Sequence, residues 1–462
     1  MKKTALIILA LLVLISFIFL GYRYLPKILS QKNLKLSSVL DAKPSSNSTS
    51  FSNSRDCISG SRKNKYVCDI QNAQAAKDSD KLKIAVDNYA NFLGDKAGLP
   101  EQESKYEKKI EDVPSLSDIN QETGYEKYLK EIQKNQWWRQ KPNPSDLKPG
   151  TIQNGLRDLA NIMEGNLAAI QAKSNNQDDL LNVTKDIADY LIYAQNQAGT
   201  GVYPFPITGR TDSRSLSVAD NFLNAVQTDP ELLKSVTKNG WINSDLGDSS
   251  LSFDNSLCGV AMLKLYNQTG QQKYLDSALK SADWALKEPV VPNWNFNSFN
   301  VLLLATTFQI TGDKKYLDSA KEKAKYGIYP GQLVSGRHFG SWTDQHNARI
   351  TYHYIILRGL SKLVSVLPKD DSDYGLALNT LNIGLNSRNQ EILDKGVSSI
   401  STVTDSLAEY ALNNPVLYKE NKLAQNALQL NIKYLLYQLQ KNKLAEPQAW
   451  GKVLLLRSKE II

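Results

Sequence analysis

The densest group of side chains able to do chemistry lies at residues 335–354, SGRHFGSWTDQHNARITYHY. This segment holds all three histidines of the protein, which are His338, His346 and His353. Imidazole is the side chain best suited to moving a proton near neutral pH. Residues this rare, clustered beside tryptophan and aspartate, are typical of a functional site.

A helix that begins near Gln345 would carry three of these residues on one face. Positions 346, 349 and 353 then fall at about 0°, 300° and 340° around the helix axis, with Tyr352 beside them. Arg349 suits bidentate recognition of a carboxylate, with His353 as a second ligand contact on the same face. His346 or Tyr352 could transfer a proton. The alternative is that His346 caps the helix, while Arg349 and His353 are hydrogen-bonded core groups.

Aspartates next to predicted helix starts form a second set of candidates: Asp220, Asp254, Asp344 and Asp405. Cleavage of a glycosidic bond commonly uses two carboxyl groups, about 5–5.5 Å apart for retention or about 6.5–9.5 Å for inversion. Aspartate is also a preferred N-cap residue, so a purely structural role is the competing interpretation. Asp254 and Asp344 lie among aromatic and amide residues, and we predict that they are the acid and base.

Aromatic and amide residues in the predicted loops suggest a third set, which would hold the substrate. Aromatic faces and amides suit sugar rings, which are apolar on one side and carry hydroxyls at the edge. Ordinary loop packing is the alternative for each residue. The candidates are Tyr203, Arg210, Trp241, Trp294, Asn295 and Trp342.

The elements that position these residues are predicted to be helices. From residue 151 to 455, apolar residues recur at helical spacing and alternating strand patterns are scarce, so the fold class is all-α. Residues 269–278 read TGQQKYLDSA and residues 311–320 read TGDKKYLDSA, an offset of 42 residues. Each copy follows an apolar helix and opens a second one. A repeat of this length predicts stacked helical hairpins, arranged either as an open solenoid or as a closed toroid.

Three segments favour the closed form by resemblance. They are QNQAGTGVYPFP at 195–206, Gly240-Trp241-Ile242 with Ser252–Asn255, and Gln448–Gly451. They resemble loops and a closing inner helix of six-hairpin (α/α) toroid proteins, a group that includes glycoside hydrolases, polysaccharide lyases and sugar epimerases. The resemblance spans about residues 150–455 and matches no single family, so it transfers no catalytic residue. It implies an (α/α)6-type toroid with a carbohydrate-facing cleft at the N-terminal ends of the inner helices.

The N-terminal end predicts membrane attachment. Thr4–Leu20 is an uncharged apolar run, long enough to span a bilayer when Gly21 and Tyr22 are included, and bulky residues follow it where a signal peptide would be cleaved. Basic residues flank both sides of the apolar run, so their charge does not decide the membrane orientation. A short basic start followed by an apolar run is the usual export pattern, which places the body outside the cytoplasm. We predict four parts: a transmembrane anchor at 1–22, a flexible Ser/Asn-rich linker at 23–70, a helical extension at 71–150, and the toroid at 151–462.

Three cysteines exclude a disulfide-dense scaffold. Cys57 and Cys68 could close a small loop in an exported protein, or stay reduced in the cytoplasm. Cys258 lies in an apolar helical stretch and is expected to be a buried small hydrophobe.

Composition and motifs exclude several other classes. Fifty-five Lys and Arg against 47 Asp and Glu give a net charge of +8, without a long basic run, so nucleic-acid binding is not expected. The sequence has no phosphate-binding loop and no zinc-binding or serine-hydrolase motif. His346 and His353 lack a clear third metal ligand. We therefore expect no cofactor and no metal.

These features together favour a membrane-anchored, exported enzyme that cleaves or modifies an oligo- or polysaccharide, either neutral or acidic. Hydrolysis would make Asp254 and Asp344 central, whereas elimination would make Tyr352, His346 and Arg349 central; epimerisation also stays open. Two alternatives are a non-catalytic glycan-binding protein of the cell envelope and a helical scaffold for protein partners. The sequence does not indicate an oligomeric state.

Overall fold

A computed structural model describes residues 62–102, 104–107, 121–145, 152, 155–207, 223, 226, 228–441, 443 and 446–462. All described residues belong to one compact unit, Ser52–Ile462. The predicted anchor at 1–22 lies outside the described residues. Among the helices from Arg62 onward, none combines the length and apolar character that a membrane crossing requires.

Helices dominate the described chain. In order they are α1 Arg62–Ala75, α2 Ser79–Leu93, α3 Gln121–Lys134, α4 Leu156–Gln171, α5 Gln177–Ala198, α6 Pro230–Val236, α7 Ser252–Thr269, α8 Gln272–Lys287, α9 Trp294–Thr311, α10 Lys314–Gly327, α11 Ile350–Val366, α12 Tyr374–Lys395, α13 Ile400–Asn413, α14 Pro415–Glu420, α15 Lys422–Gln440 and α16 Pro447–Ser458. Short 3₁₀ helices span Gly94–Lys96, Trp137–Gln140 and Tyr329–Gly331. Three two-residue strands, β1 Phe205–Pro206, β2 Thr237–Lys238 and β3 Trp241–Ile242, form an antiparallel sheet in the order β1-β3-β2.

Six of the described helices form a closed inner ring. In ring order they are α4, α7, α9, α11, α13 and α16; each packs against the next, and α16 returns to α4. An open solenoid would leave its first and last helices apart, so the closed toroid is confirmed by the packing. Inner helices contact neighbours on several sides, and α9 accordingly buries every residue from Val301 to Thr307.

Each inner helix is covered by an outer helix. The pairs are α4 with α5, α7 with α8, α9 with α10, α11 with α12, α13 with α15 and α16 with α3. The sixth pair closes out of sequence order, because α3 precedes the ring in the chain. It lies in the stretch predicted as an extension, yet it buries Tyr125, Leu129 and Ile132 and completes the last hairpin.

The internal repeat marks two of these hairpins, as predicted. Gly270 and Gly312 end α7 and α9 in the left-handed conformation, with φ of 66° and 71°. A residue without Cβ adopts this conformation without steric cost, which explains the glycine in both copies. Tyr274 and Tyr316, at matching positions of the two copies, are both buried. Cys258 is buried and free, as expected, and Cys68 is disulfide-bonded.

The ring closes through an unusually close approach of α4 and α16. A Cβ on Gly451 would lie 2.2 Å from the Gly165 carbonyl oxygen, and a Cβ on Gly165 would lie 2.5 Å from the Pro447 carbonyl oxygen. Both distances are far below van der Waals contact, so the two glycines are needed for the backbones to touch.

The centre of the ring is filled by six charged side chains from five of its helices. They are Glu164, Lys264, Arg358, Asp405, Glu409 and Lys452. Lys452 lies 3.0 Å from Glu164 and 2.7 Å from Glu409, and it also pairs with Asp405. This central charge cluster has three cations and three carboxylates, so its net charge is zero. It occupies the axis of the ring, and Asp405, a candidate acid in the sequence, belongs to it.

The N-terminal extension runs along one rim of the ring. After α1 and α2, residues 94–102 and 104–107, called the strap below, follow the loops that precede α11 and α13. Gly98 N donates to Thr343 O at 3.2 Å, and Glu107 forms an antiparallel bridge with Val397. α1 begins at Arg62, inside the stretch predicted as linker.

Candidate functional site

The N-terminal ends of the inner helices share one face of the ring, because an outer helix returns the chain to this face before each of α7, α9, α11, α13 and α16 begins. Residues at these ends are Gly155, Leu251, Asn293, Arg349, Ser399 and Glu446. The cleft implied by the resemblance would lie here, and most of the predicted site residues are on or near this face.

A cavity of about 230 Å³ opens on this face between the ring, the strap and helices α1 and α2. Its polar wall includes Tyr89, Glu101, Asp344, His346 and Asn347. It is called the rim cavity below. Two predicted catalytic residues, Asp344 and His346, thus line one cavity, together with a second carboxyl group that the sequence analysis did not single out.

Both carboxylate oxygens of Asp344 accept hydrogen bonds from Asn347. Its Oδ1 accepts from Asn347 N at 2.8 Å and its Oδ2 accepts from Asn347 Nδ2 at 2.8 Å. Burial raises the pKa of Asp344 above its ordinary value, despite these hydrogen bonds. Burial and the nearby charges of Asp344 and Glu101 raise the pKa of Tyr89 to about 12. Asp344 therefore holds a proton at higher pH than a solvated aspartate.

Asn347 connects this wall to the start of α9. Its Oδ1 accepts from Asn295 N at 2.9 Å and from Asn295 Nδ2 at 2.8 Å. Asn293 Oδ1 accepts from both side-chain amides, at 2.8 and 3.2 Å. Among the described atoms, Asn295 Oδ1 and the indole nitrogen of Trp294 are buried without a hydrogen-bond partner. Trp294 also lines the rim cavity, whereas Asn295, predicted as a ligand contact, is 1% exposed and acts inside the amide network.

The predicted His346-Arg349-His353 face does not form, because α11 begins at Ile350 and not near Gln345. The Asp344–Asn347 hydrogen bonds fold the preceding residues into turns that compete with a helix. Arg349 is extended, at φ −63° and ψ 140°. The expectation of one shared face is therefore wrong.

A smaller group survives around Tyr352. The His346 ring stacks on Tyr352, with ring centroids 4.3 Å apart and planes 23° apart. The Arg349 guanidinium lies 5.7 Å from the Tyr352 ring centroid and forms an ion pair with Glu101 of the strap. Both predicted proton-transfer residues and the predicted anion anchor are thus neighbours at the edge of the rim cavity.

His353 belongs to the core. Its ring nitrogens contact Gly384 O at 3.0 Å and Arg388 Nε at 3.3 Å, and its ring meets Trp342 edge-on. Because Arg388 donates to Nδ1, Nε2 must donate to Gly384 O, which is the neutral tautomer. Burial and Arg388 lower the pKa of His353 well below its ordinary value. This matches the alternative of a hydrogen-bonded core group.

Asp254 is engaged elsewhere. Both of its carboxylate oxygens accept from the Arg157 side chain, at 3.1 and 2.5 Å, and Oδ1 also accepts from Arg157 N. Arg157 in turn lies 3.8 Å above the Phe253 ring. Asp254 is 1% exposed. Its partner is on α4, whereas the amide network of Asp344 leads to α9, so the described contacts do not join the two predicted acids.

The predicted aromatic floor is largely core. Tyr203 Oη hydrogen-bonds Ser277 Oγ at 2.7 Å, and Trp342 Nε1 donates to Ile328 O at 3.1 Å. Trp241 is buried in β3. A side chain must be reachable to stack on a sugar, so these positions do not suit the predicted role. Arg210 and Asp220 lie outside the described residues.

A second carboxyl pair, Asp245 and Glu288, was missed by the sequence analysis. Asp245 accepts backbone hydrogen bonds from Gly247 and Leu251, both at 3.0 Å. Burial and the neighbouring charge of Asp248 raise the pKa of Asp245 to about 6. Burial and Asp245 raise the pKa of Glu288 to about 9.

Within the described ranges no group of three or more His, Cys, Asp or Glu residues could hold a metal ion.

Comparisons with known proteins give distant similarities. No family profile matches the chain, and no curated protein matches it. Among solved structures, a glycosyl hydrolase family 88 protein from Bacteroides vulgatus has a TM-score of 0.45 at 10% identity, covering 74% of this chain and 99% of that one. A polysaccharide lyase has a TM-score of 0.43 at 13% identity, covering 74% and 98%. These are two of the enzyme classes named by the sequence resemblance, but the toroid itself rests on the helix packing described above.

Proposed function

We propose that this protein is a carbohydrate-active enzyme that handles an oligo- or polysaccharide at the rim cavity. The observation that carries the proposal is the raised pKa of Asp344 in a cavity that also contains Glu101 and His346. A carboxyl group whose pKa is raised by burial is the usual general acid of glycosidic bond cleavage. At about 230 Å³ the cavity is smaller than the roughly 300–1,000 Å³ of common ligand pockets, which suits a single sugar unit.

Hydrolysis assigns the two carboxyl groups different roles. Asp344 donates its proton to the glycosidic oxygen as the bond to the anomeric carbon breaks. A water molecule adds to that carbon, and its proton goes to Glu101. Glu101 thereby replaces Asp254 as the base, because Arg157 binds both oxygens of Asp254, whereas Arg349 binds only Oε2 of Glu101.

Elimination would instead use Arg349, His346 and Tyr352 at the edge of the rim cavity. Arg349 would bind the carboxylate of an acidic sugar, which must then compete with Glu101 for the guanidinium. His346 or Tyr352 would remove the proton beside that carboxylate, and Asp344 would protonate the leaving oxygen. An acidic substrate at this cavity therefore predicts a role for Arg349 that a neutral substrate does not.

The ion pair between Asp254 and Arg157 favours a second candidate function, that of a non-catalytic glycan-binding protein. Its salt bridge with Arg157 removes one of the two predicted acids from the reaction. This candidate predicts saturable saccharide binding without turnover.

We also propose that Thr4–Leu20 anchors the protein in a membrane and that the toroid lies outside the cytoplasm. The uncharged apolar run and the serine- and asparagine-rich stretch after it support this arrangement. Fractionation combined with protease digestion of intact cells tests it: the toroid should be in the membrane fraction and be digested without lysis.

The enzyme proposal is tested by incubating the full-length chain with neutral and acidic oligosaccharides and detecting new reducing ends or unsaturated products. Asp344→Asn should lower turnover by about 10²-fold or more, since it removes the proton donor. His346→Ala should lower turnover of an acidic substrate more than that of a neutral one. Asp313→Asn is the matched control, because Asp313 is an exposed N-cap on α10. Full activity of both site variants would refute the assignment.

A further inference from the structure

We infer that a second cavity on the same rim binds an acidic sugar unit, so that the protein has an accessory saccharide subsite. This inference rests on the proposed carbohydrate function. The cavity measures about 550 Å³ and shares no lining residue with the rim cavity. It is bounded by the strap, by the loop before α11 and by the C-terminal end of α12, and we call it the flank cavity.

Among the described residues that line the flank cavity, Arg337 is a cation without a carboxylate partner. The cavity also has two carboxylates, Glu391 and Asp394, and Asp394 accepts from Gln390 Nε2 at 2.9 Å. Glu391 accepts from Tyr106 Oη at 2.6 Å and pairs with Arg388 and with Lys395. Burial opposes ionisation of Glu391, but Arg388 and the hydrogen bonds outweigh it and lower the pKa of Glu391 to about 2. This carboxylate is therefore fully compensated. Arg337, which also lines the cavity, is exposed, and no described carboxylate pairs with it.

Two neighbours of Arg337 complete a recognition surface. His338 Nε2 is buried and has no hydrogen-bond partner within the part of the chain that the structure describes. The Phe339 ring is 46% exposed at the cavity wall. An unpartnered buried polar atom next to an exposed guanidinium suits a ligand that accepts hydrogen bonds and carries negative charge.

The combination selects an acidic sugar over simpler anions. A guanidinium binds a carboxylate through two parallel hydrogen bonds, and an aromatic face packs on the apolar side of a sugar ring. Ser341 and Ser387 also line the cavity; Ser387 Oγ donates to Gly384 O at 3.2 Å, which leaves its oxygen to accept from a ring hydroxyl. Inorganic phosphate would use Arg337 but would leave Phe339 without a contact. The cavity volume lies within the roughly 300–1,000 Å³ typical of ligand sites and exceeds that of the rim cavity.

The experiment is a calorimetric titration of the full-length chain with trigalacturonate, with maltotriose as the neutral comparison. It is repeated in an Asp344→Asn background, so that turnover does not consume the ligand. Arg337→Gln and Phe339→Ala should each weaken trigalacturonate binding about tenfold, as expected for loss of a charge-assisted pair or an aromatic contact. Arg457→Gln, an exposed arginine at the opposite end of the ring, is the matched control and should change binding less than twofold.

The inference is overturned if the chain does not bind trigalacturonate, if maltotriose binds equally well, or if Arg337→Gln and Phe339→Ala bind like the parent protein. These failures are separable from failure of the enzyme proposal. Turnover of a neutral saccharide without trigalacturonate binding would sink only the accessory site. Binding that depends on Arg337, with no turnover of any saccharide, would sink only the enzyme proposal.

Discussion

Replacing Lys452 by methionine probes the central charge cluster that fills the ring. Lys452 is 1% exposed and touches all three carboxylates of the cluster. Methionine keeps most of the side-chain volume, so the change leaves three carboxylates facing two cations without opening a large cavity. Removing one partner of a buried ion pair typically costs about 3–5 kcal/mol. With an unfolding entropy of about 2 cal/mol/K per residue over roughly 400 residues, the melting temperature should fall by about 4–6 °C.

The loss should depend on pH in a defined direction. In the parent protein, burial opposes ionisation of Glu164, but Arg358, Lys264 and Lys452 outweigh it and lower the pKa of Glu164 below its ordinary value. Its stabilisation is therefore present above the unfolded pKa and is lost as pH falls through the lowered folded pKa. Without Lys452, one carboxylate is in excess and its pKa rises, so the folded variant gains a proton. The stability gap to the parent should narrow as pH falls from 8 towards 5.

Thermal melts of three variants test this reasoning. Lys459→Met, an exposed lysine at the end of the same helix, should melt like the parent. Lys452→Met combined with Glu164→Gln restores the charge balance and should recover part of the loss. The charge-balance argument is refuted if the stability loss of the double variant equals the sum of the losses of the two single variants. It is also refuted if Lys452→Met lowers the free energy of unfolding by less than about 1 kcal/mol.

Two further predictions concern ring closure and the Asp245–Glu288 pair. Gly451→Ala should lower the free energy of unfolding by at least about 1–3 kcal/mol, because its Cβ would lie 2.2 Å from the Gly165 carbonyl oxygen. Gly375→Ala is the control, since its Cβ would meet open space and the melting temperature should not change. Equal melting temperatures for the two variants would contradict the close packing. The raised pKa values of Asp245 and Glu288 give stability that is fully present below their unfolded values near 4 and is lost as pH rises through about 6 and then about 9. Melts from pH 5 to 9.5 should show this decline, and Asp245→Asn should flatten it; an unchanged slope would count against the pair.

The fold was predictable because its signals are local. The two TG turns with their left-handed glycines repeat at a fixed spacing, and each marks a hairpin. Closure of the ring was suggested by resemblance, but the out-of-order pairing of α3 with α16 depends on contacts between distant parts of the chain. No local pattern encodes such a pairing.

The site was predictable only in part, for the same reason. Asp344, His346 and Tyr352 are close in sequence and stay together in space. Glu101 joins them through the strap, which is remote in sequence. His353 was misplaced because the Asp344–Asn347 hydrogen bonds delay the helix, and helix boundaries depend on such local competition.

The position of the charged residues of the inner helices was not predictable from the sequence. Glu164, Lys264 and Lys452 look like residues of solvated faces when each helix is considered alone. Only the closed ring brings them together, and it buries Glu164 and Lys452 while Lys264 stays 28% exposed. Closure of the ring also places Arg157, on the neighbouring helix α4, against Asp254, and the two form an ion pair.

The most direct test of the account is an experimental structure of the full-length chain with a bound oligosaccharide. We predict a closed ring of six inner helices, with a sugar unit in the rim cavity in hydrogen-bond contact with Asp344 and close to Glu101 and His346. An open arrangement of hairpins, or a saccharide bound only at the opposite end of the ring, would contradict the account.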